Sequence, residues 1–194
     1  MTISEIGLLR LRPTASLEDP NIQKRLSEIK SYLNKFTGHT FHYFRQIEDP
    51  SLLYLLGQWE SLESHYQGMH GSDEWKKSVM EMSNYFEFQW MAHYDFLLDG
   101  LRLEDSILQV QRFLMKTPAR DEFTNQLKAI PVTSGENALK LRGGWKLDKK
   151  EDEEEYAVIM EMVDGQKTSP SSERYQSLGQ FAESANRYMI QKFI

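Results

Sequence analysis

The sequence has 194 residues, of which 40% are hydrophobic, 27% are charged and 12% are aromatic. This composition excludes a disordered, collagen-like or low-complexity chain. The absence of cysteine excludes disulfides, thiolate metal sites, iron–sulfur clusters and thiol nucleophiles. The net charge is −6 and the sequence shows no Lys/Arg stripe, so we expect no nucleic-acid partner.

Apolar runs in the sequence are short. The longest, residues 52–56 and 156–160, are far shorter than a membrane-spanning segment, and the N-terminus lacks a basic stretch followed by an apolar run. We therefore expect no membrane association, and a cytoplasmic location.

The first half of the chain alternates between strand and helix periodicity. Residues 3–12 show a strand pattern, and a helix pattern follows with Asp19 as the N-cap, Pro20 at the first helical position and Gly38 at C′. The next predicted elements are a hairpin of residues 39–47 and 52–60, a broken helical region at residues 61–86 and an aromatic strand at residues 87–98. The predicted order is β-α-β-β-α-β.

The second half repeats this order. Its predicted elements are a strand at residues 106–116, a helix at 118–130, a hairpin of 138–147 and 155–164 around the acidic run 148–155, a helix at 172–187 and a strand at 188–194. Each half is then a ferredoxin-like unit. We predict an α+β fold of two tandem ferredoxin-like repeats, residues 1–100 and 101–194, stacked as a dimeric α+β barrel within one chain. The acidic run is typical of a solvated hairpin turn.

One stretch resembles a known family. Residues 56–65 (Leu-Gly-Gln-Trp-Glu-Ser-Leu-Glu-Ser-His) and 71–75 (Gly-Ser-Asp-Glu-Trp) are similar to a Trp-x-Ser step and a later Ser-x-x-aromatic step of the antibiotic biosynthesis monooxygenase family. The resemblance implies a two-repeat member with a degenerate second repeat, in which Trp59 closes the third strand against a helix that Ser61 caps. The fold of that family hosts monooxygenases, polyketide cyclases, isomerases, haem degraders and proteins of no known activity, so the resemblance implies a fold more than a reaction.

The strand at residues 87–98 supplies the first candidate site. Even-numbered residues from Phe88 to Leu98 form a continuous apolar face, and Gln89 and His93 lie on the opposite face. We expect helices to cover the apolar face and the polar face to line a ligand cavity inside the barrel. His93 is then a candidate catalytic base with a lowered pKa, and Gln89 an orienting donor. A hydrogen-bonded structural histidine is the alternative interpretation.

Other side chains are weaker candidates. His42, which alternates with Phe44 and Gln46, is the second candidate for catalysis, whereas His39 beside a glycine is typical of a turn. The remaining candidates for substrate binding are Tyr43, Tyr94, Trp59, Gln109 and Gln111. Arg142 and Glu161 are typical of surface salt bridges.

The sequence predicts no cofactor and no metal. His65 and His70 are five residues apart, a spacing that does not place two ligands on one helical face. The resemblance places Val79 where the haem-degrading branch has its ligand histidine, so haem is not expected. Nucleotide-binding and triad-hydrolase motifs are absent from the sequence.

Two functional hypotheses follow from these residues and the resemblance. The first is a cofactor-independent tailoring enzyme, a monooxygenase or a cyclase/isomerase, that acts on a hydrophobic, aromatic or polyketide-like molecule in the barrel. In it, a base such as His93 removes a proton, while Gln89, Tyr43 or Tyr94 stabilises the oxyanion. The second is a non-catalytic small-molecule-binding or stress-related barrel. A homodimer is compatible with either hypothesis.

Overall fold

The computed structural model describes residues 1–69, 72–104, 106–115, 119–129, 140–148, 153–162 and 177–194. The strands are β1 (Ile3–Leu11), β2 (His42–Gln46), β3 (Leu52–Trp59), β4 (Phe86–Tyr94), β5 (Ile107–Met115), β6 (Leu141–Trp145), β7 (Glu154–Met162) and β8 (Ser184–Lys192). The helices are α1 (Pro20–Thr37), a π-helix (Ser64–Met69), α2 (Asp73–Met82), α3 (Arg120–Ala129) and a 3₁₀-helix (Leu178–Phe181). No helix among these described residues has the length and hydropathy needed to span a membrane.

Local sequence signals explain the first helix. The Asp19 side chain accepts a hydrogen bond from the backbone N–H of Asn21, and Gly38 ends the helix at φ 74°. Only a residue that tolerates positive φ fits that C-terminal position, which is why glycine stands there. The buried face of α1 consists of Ile22, Leu26, Ile29 and Leu33. Both predicted caps are confirmed.

The described strands form one antiparallel sheet in the order β4-β1-β3-β2-β8-β5-β7-β6. The ferredoxin-like order 4-1-3-2 therefore occurs twice, first in β1–β4 and then in β5–β8. The two ends of the sheet meet at a bridge between Tyr94 and Lys146, where Leu147 N donates to His93 O at 2.8 Å. The predicted α+β barrel within one chain is confirmed, and it is built from one closed sheet.

Apolar side chains form three clusters around this sheet. One cluster fills the barrel and contains Ile6, Phe44, Tyr54, Leu56, Ala92, Tyr94, Leu108, Val110, Ile159 and Ile190, among others. A second cluster lies between the outer face of the first four strands and the helices α1 and α2. A third lies on the outer face of the second half, beneath α3 and the 3₁₀-helix. Among the described residues, the helices therefore lie on the outer faces, and the interior cluster consists mainly of side chains from the strands.

The predicted orientation of β4 is wrong. Trp90, Ala92 and Tyr94 belong to the interior cluster, so the apolar face of β4 points into the barrel and His93 points outward. The physical reason is that a closed barrel excludes water from its interior, so inward-facing positions favour apolar residues.

The second half departs from prediction in one element. The predicted helix at residues 172–187 is wrong where the structure describes it, because a 3₁₀-helix occupies Leu178–Phe181 and β8 begins at Ser184. Residues 172–176 lie outside the described residues. The predicted strands at 138–147 and 155–164 pair as β6 and β7 over their described parts.

Two glycines on neighbouring strands allow a matched stability test. A Cβ at Gly57 would lie 2.1 Å from the Phe41 ring, whereas a Cβ at Gly7 would meet Leu55 Cβ at an ordinary 3.7 Å. We expect Gly57→Ala to lower the free energy of unfolding by about 1–3 kcal/mol, as overpacking does. Gly7→Ala should change it by much less. Urea denaturation of the two variants checks this, and equal losses would contradict it.

Candidate functional site

Three separate elements bring ionisable side chains together on the outer face of the first half. Glu5 on β1 lies directly opposite His93 on β4 in the strand register. His65 comes from the π-helix that follows β3, and the Ser61 hydroxyl accepts a hydrogen bond from the backbone N of Ser64 at the start of this helix. A π-helix often occurs at functional sites. We call Glu5, His65 and His93 the histidine–carboxylate centre.

The centre is compact and buried. Glu5 Oε2 lies 3.3 Å from His93 Nε2 and 3.7 Å from His65 Nε2. The exposed fractions of Glu5, His65 and His93 are 2%, 1% and 0%. Burying a carboxylate and two imidazoles costs desolvation free energy unless each group has a hydrogen-bond partner, a charged partner or a metal ion.

Asp148 supports the centre from its outer side. One Asp148 oxygen lies 2.9 Å from His93 Nδ1, and the other accepts a hydrogen bond from the His93 backbone N–H at 2.9 Å. Burial by itself lowers the pKa of His93, but the carboxylates of Asp148 and Glu5 outweigh it and raise this pKa to about 9. The predicted lowered pKa of His93 is therefore wrong.

Aromatic rings enclose the same atoms. Trp59 Nε1 donates a hydrogen bond to Glu5 Oε2 at 2.8 Å, and its ring lies 4.4 Å from that of His65. The Tyr66 ring lies 5.7 Å from that of His93, and the Tyr66 hydroxyl donates to Asp148. Because Tyr66 is 45% exposed, the centre is one side chain away from solvent.

The acidic run is more than a solvated turn. Asp148 is bonded to His93, and Glu154 and Glu155 at the start of β7 are buried. Residues 149–152 lie outside the described residues. The interpretation as a solvated run is therefore wrong at both of its described ends.

The structure places the predicted site residues in several environments. His93 and Trp59 meet at the centre, and Tyr43 is buried in the same helix-covered layer. The pKa of Tyr43 is raised by burial and by the Glu5 carboxylate. Gln89, predicted to face a cavity beside His93, is exposed, so that placement is wrong.

The predicted glutamines of the second half also face outward. Leu108 and Val110 belong to the interior cluster, so alternation along β5 turns Gln109 and Gln111 to the helix-covered side, where both are buried. Neither glutamine lines the interior of the barrel. The sequence does not show which face of β5 points into the barrel. Only closure of the barrel determines this.

Tyr94 lies inside the barrel in a separate polar network. Its hydroxyl donates to Glu155, which Arg112 binds through Nε at 2.6 Å and Nη2 at 2.8 Å. Arg112 also lies over the Trp90 ring, 3.7 Å from its centroid. This network satisfies buried polar groups among themselves, as an interior closed by strands requires.

Arg142 and Glu161, which the sequence predicts to form surface salt bridges, have different partners in the structure. Arg142 is half-buried and donates to the backbone oxygens of Asp99 and Leu141. Glu161 is buried and pairs with Arg102 at 2.8 Å, so its predicted position on the surface is wrong.

His42 is separate from the centre. It lies beside Phe44, with a ring-centroid distance of 6.3 Å, and its Nδ1 is 3.3 Å from Glu104 Oε1. Desolvation lowers its pKa to about 4, and the charges of Lys192 and Lys30 add to this. His42 is therefore neutral at pH 7, but it shares no contact with Glu5, His65 or His93 among those described.

The sequence patterns did not indicate Glu5 or Asp148 as site residues, and the five-residue spacing of His65 and His70 argued against a metal site at His65. His70 lies outside the described residues. The actual neighbours of His65 are far away in sequence. The available signal was Glu5 itself, a charged residue within a largely apolar strand.

The position aligned with the haem ligand of the resembling family does not fit haem. Val79 lies on α2, is 47% exposed and has no donor atom for iron. We therefore derive no chemistry from haem at that position.

The overall fold is similar to solved structures. A candidate monooxygenase from Lactobacillus acidophilus NCFM has a TM-score of 0.66 and 11% identity, over 98% of this chain and 93% of its own. An anthrone oxidase-like protein has a TM-score of 0.65 and 11% identity, over 100% and 92% of the two chains. A candidate chlorite dismutase has a TM-score of 0.62 and 14% identity, over 100% and 95%.

Comparison by sequence gives no match. No protein-family model matches the sequence, and no curated protein matches it significantly. At 11–14% identity, the structural likeness shows the α+β barrel fold alone.

The pKa of His42 gives a test of its burial. Below pH 6.5, His42 binds a proton in the unfolded chain, whereas His42 in the folded protein stays neutral until the pH falls to about 4. This protonation lowers the stability of the wild type as pH falls from 6.5 to 4, by on the order of 1–3 kcal/mol. His42→Gln should lose this part of the pH dependence, while His39→Gln, in the turn after α1, should keep it. Urea denaturation between pH 4 and 7 checks this, and parallel wild-type and His42→Gln curves would contradict it.

Proposed function

We propose that this protein is a tailoring enzyme, a monooxygenase or a cyclase/isomerase, that acts on a hydrophobic aromatic or polyketide-like small molecule at the histidine–carboxylate centre. The observation that carries the proposal is the convergence of Glu5, His65 and His93 in a buried position. Such clusters are costly for stability and are concentrated at functional sites.

The surroundings of the centre suit an aromatic molecule. Trp59, Tyr66 and the two histidine rings present π-faces within a few ångströms of one another. Tyr66 is the exposed member of this group, so we place the substrate entrance beside it. A planar substrate there would bring an acidic C–H or O–H group towards the centre.

Both reaction types share their first step. The Glu5 carboxylate takes a proton from an enolisable or phenolic substrate, in a buried site. In the cyclase/isomerase case, the enolate attacks a neighbouring carbonyl or is reprotonated elsewhere. In the monooxygenase case, the carbanion formed from a CH₂ group adds O₂, takes up a proton to give a hydroperoxide and loses water to leave a ketone. Neither route uses flavin, nicotinamide or haem.

The alternative is a barrel that binds the same kind of molecule without turnover. Its support is that buried ionisable groups can be satisfied by one another, as the Asp148–His93 contact shows. An enzyme and a binding protein differ in whether the groups at the centre react with the bound molecule. Only catalysis requires the Glu5 carboxylate to take part in a proton transfer.

Glu5→Gln separates the two functions because it keeps the shape of the side chain and removes its charge. With anthrone, an aromatic ketone with an acidic CH₂ group, we expect the wild type to consume O₂ or to exchange that CH₂ with deuterium from solvent. Glu5→Gln should lower the rate by about 10²-fold or more. Oxygen electrode and NMR measurements give the two rates.

His39→Gln is the matched control because His39 lies in a turn outside the centre. It should keep the wild-type rate. Saturable anthrone binding with no oxygen uptake and no exchange would instead support the non-catalytic barrel.

A further inference from the structure

We infer that Glu5, His65 and His93 form a binding site for one divalent first-row transition metal ion, such as Zn²⁺ or Fe²⁺. This inference deepens the proposed function, because it places the ion at the same centre. It also replaces the metal-free expectation drawn from the sequence, in which no histidine–carboxylate group at ligand spacing was found.

The spacing of the donor atoms supports a single ion. One oxygen of Glu5 and one nitrogen of each histidine all lie within 4.8 Å of one another. Bonds of 2.0–2.1 Å to a tetrahedral ion put neighbouring ligand atoms about 3.3–3.4 Å apart. The Glu5–His93 distance of 3.3 Å already matches this value, and the Glu5–His65 distance of 3.7 Å is close to it.

The donor types select the class of metal. Two imidazoles and one carboxylate suit zinc, iron and similar ions, whereas calcium and magnesium prefer oxygen ligands alone. Three protein ligands also leave at least one coordination position for water or substrate, as in catalytic rather than structural zinc sites.

The outer contacts orient the ligands. Asp148 engages His93 Nδ1 at 2.9 Å, which leaves Nε2 facing Glu5 and His65. His93 Nε2 is buried and lies 3.3 Å from Glu5 Oε2. Trp59 Nε1 holds the Glu5 carboxylate at 2.8 Å. A carboxylate on the far nitrogen of a histidine is the usual partner of a metal-bound imidazole.

The fold holds the ligands on rigid elements. Glu5 and His93 are directly paired residues of the adjacent strands β1 and β4, and Leu147 N donates to the His93 carbonyl at the barrel closure. The ring of His65 lies between that of Trp59 at 4.4 Å and that of His93 at 4.7 Å. A metal site built on such elements needs little rearrangement on binding.

A bound ion would change the proposed chemistry in two respects. It would stabilise an enolate or phenolate oxygen directly, so the oxyanion would not depend on hydrogen bonds alone. With Glu5 and both histidines engaged as ligands, the substrate proton would pass to a water or hydroxide at the open coordination position and not to the Glu5 carboxylate. The entrance beside Tyr66 and the aromatic rings keep the roles described above.

Zinc titration tests the inference independently of activity. Protein dialysed against EDTA is titrated with ZnSO₄ by calorimetry, and Co²⁺ is added in parallel to record visible absorption. We expect one tight site per chain, and Co²⁺ bands typical of four- or five-coordination. Glu5→Gln and His65→Gln should each weaken Zn²⁺ binding on the order of 100-fold or more, and Asp148→Asn about 10–100-fold. His39→Gln should bind as the wild type does.

Circular dichroism first confirms that each variant is folded, and two independent ligand variants keep the test valid if one does not fold. Absence of zinc binding by the wild type, or affinity unchanged in both ligand variants, would overturn the inference. Zinc binding without turnover of anthrone would uphold the metal site and contradict the proposed function. Turnover by the EDTA-treated protein that zinc neither binds nor alters would uphold the function and contradict the metal site.

Discussion

Closure of the described strands into one barrel constrains every other feature of this protein. The bridge between Tyr94 and Lys146 joins the two ends of the sheet, which encloses the apolar interior cluster. An inward charged group then needs a partner, as in the Arg112–Glu155 pair. Glu5 of β1 and His93 of β4, the ionisable residues of the centre, consequently lie on the outer, helix-covered face.

The histidine–carboxylate centre follows from that constraint and from register. Antiparallel pairing of β1 with β4 sets Glu5 beside His93, and the π-helix after β3 brings His65 over both. The barrel closure also carries Asp148 to the far side of His93, because β6 ends beside β4. A feature of the second half therefore completes a site of the first half, which a single ferredoxin-like unit would lack.

Local sequence signals were sufficient for much of the fold. The N-cap Asp19, the C-terminal Gly38 and the apolar stripe of α1 act over a few residues, so they could be recognised without knowing the tertiary structure. The repeated element order likewise predicted the α+β barrel. The helix predicted at 172–187 failed over its described part because the sheet pairs β8 with β5 from Ser184 onward, and such long-range pairing overrides local helix periodicity.

The candidate site depended on contacts that no local pattern encodes. Alternation along β4 correctly separated His93 from the face of Trp90 and Tyr94, but it could not show which face points inward. Glu5 and His65 lie 60 residues apart in the chain, and only strand pairing and the position of the π-helix bring them together. Strand alternation could therefore show that His93 lies on the polar face of β4, but not which residues surround it.

Crystals grown with Zn²⁺ and measured on both sides of the zinc absorption edge would show whether Glu5, His65 and His93 share one metal ion. We expect an anomalous difference peak within about 2.0–2.2 Å of a Glu5 carboxylate oxygen and of Nε2 of His65 and His93. An empty position there, with anomalous peaks only at surface residues, would contradict it.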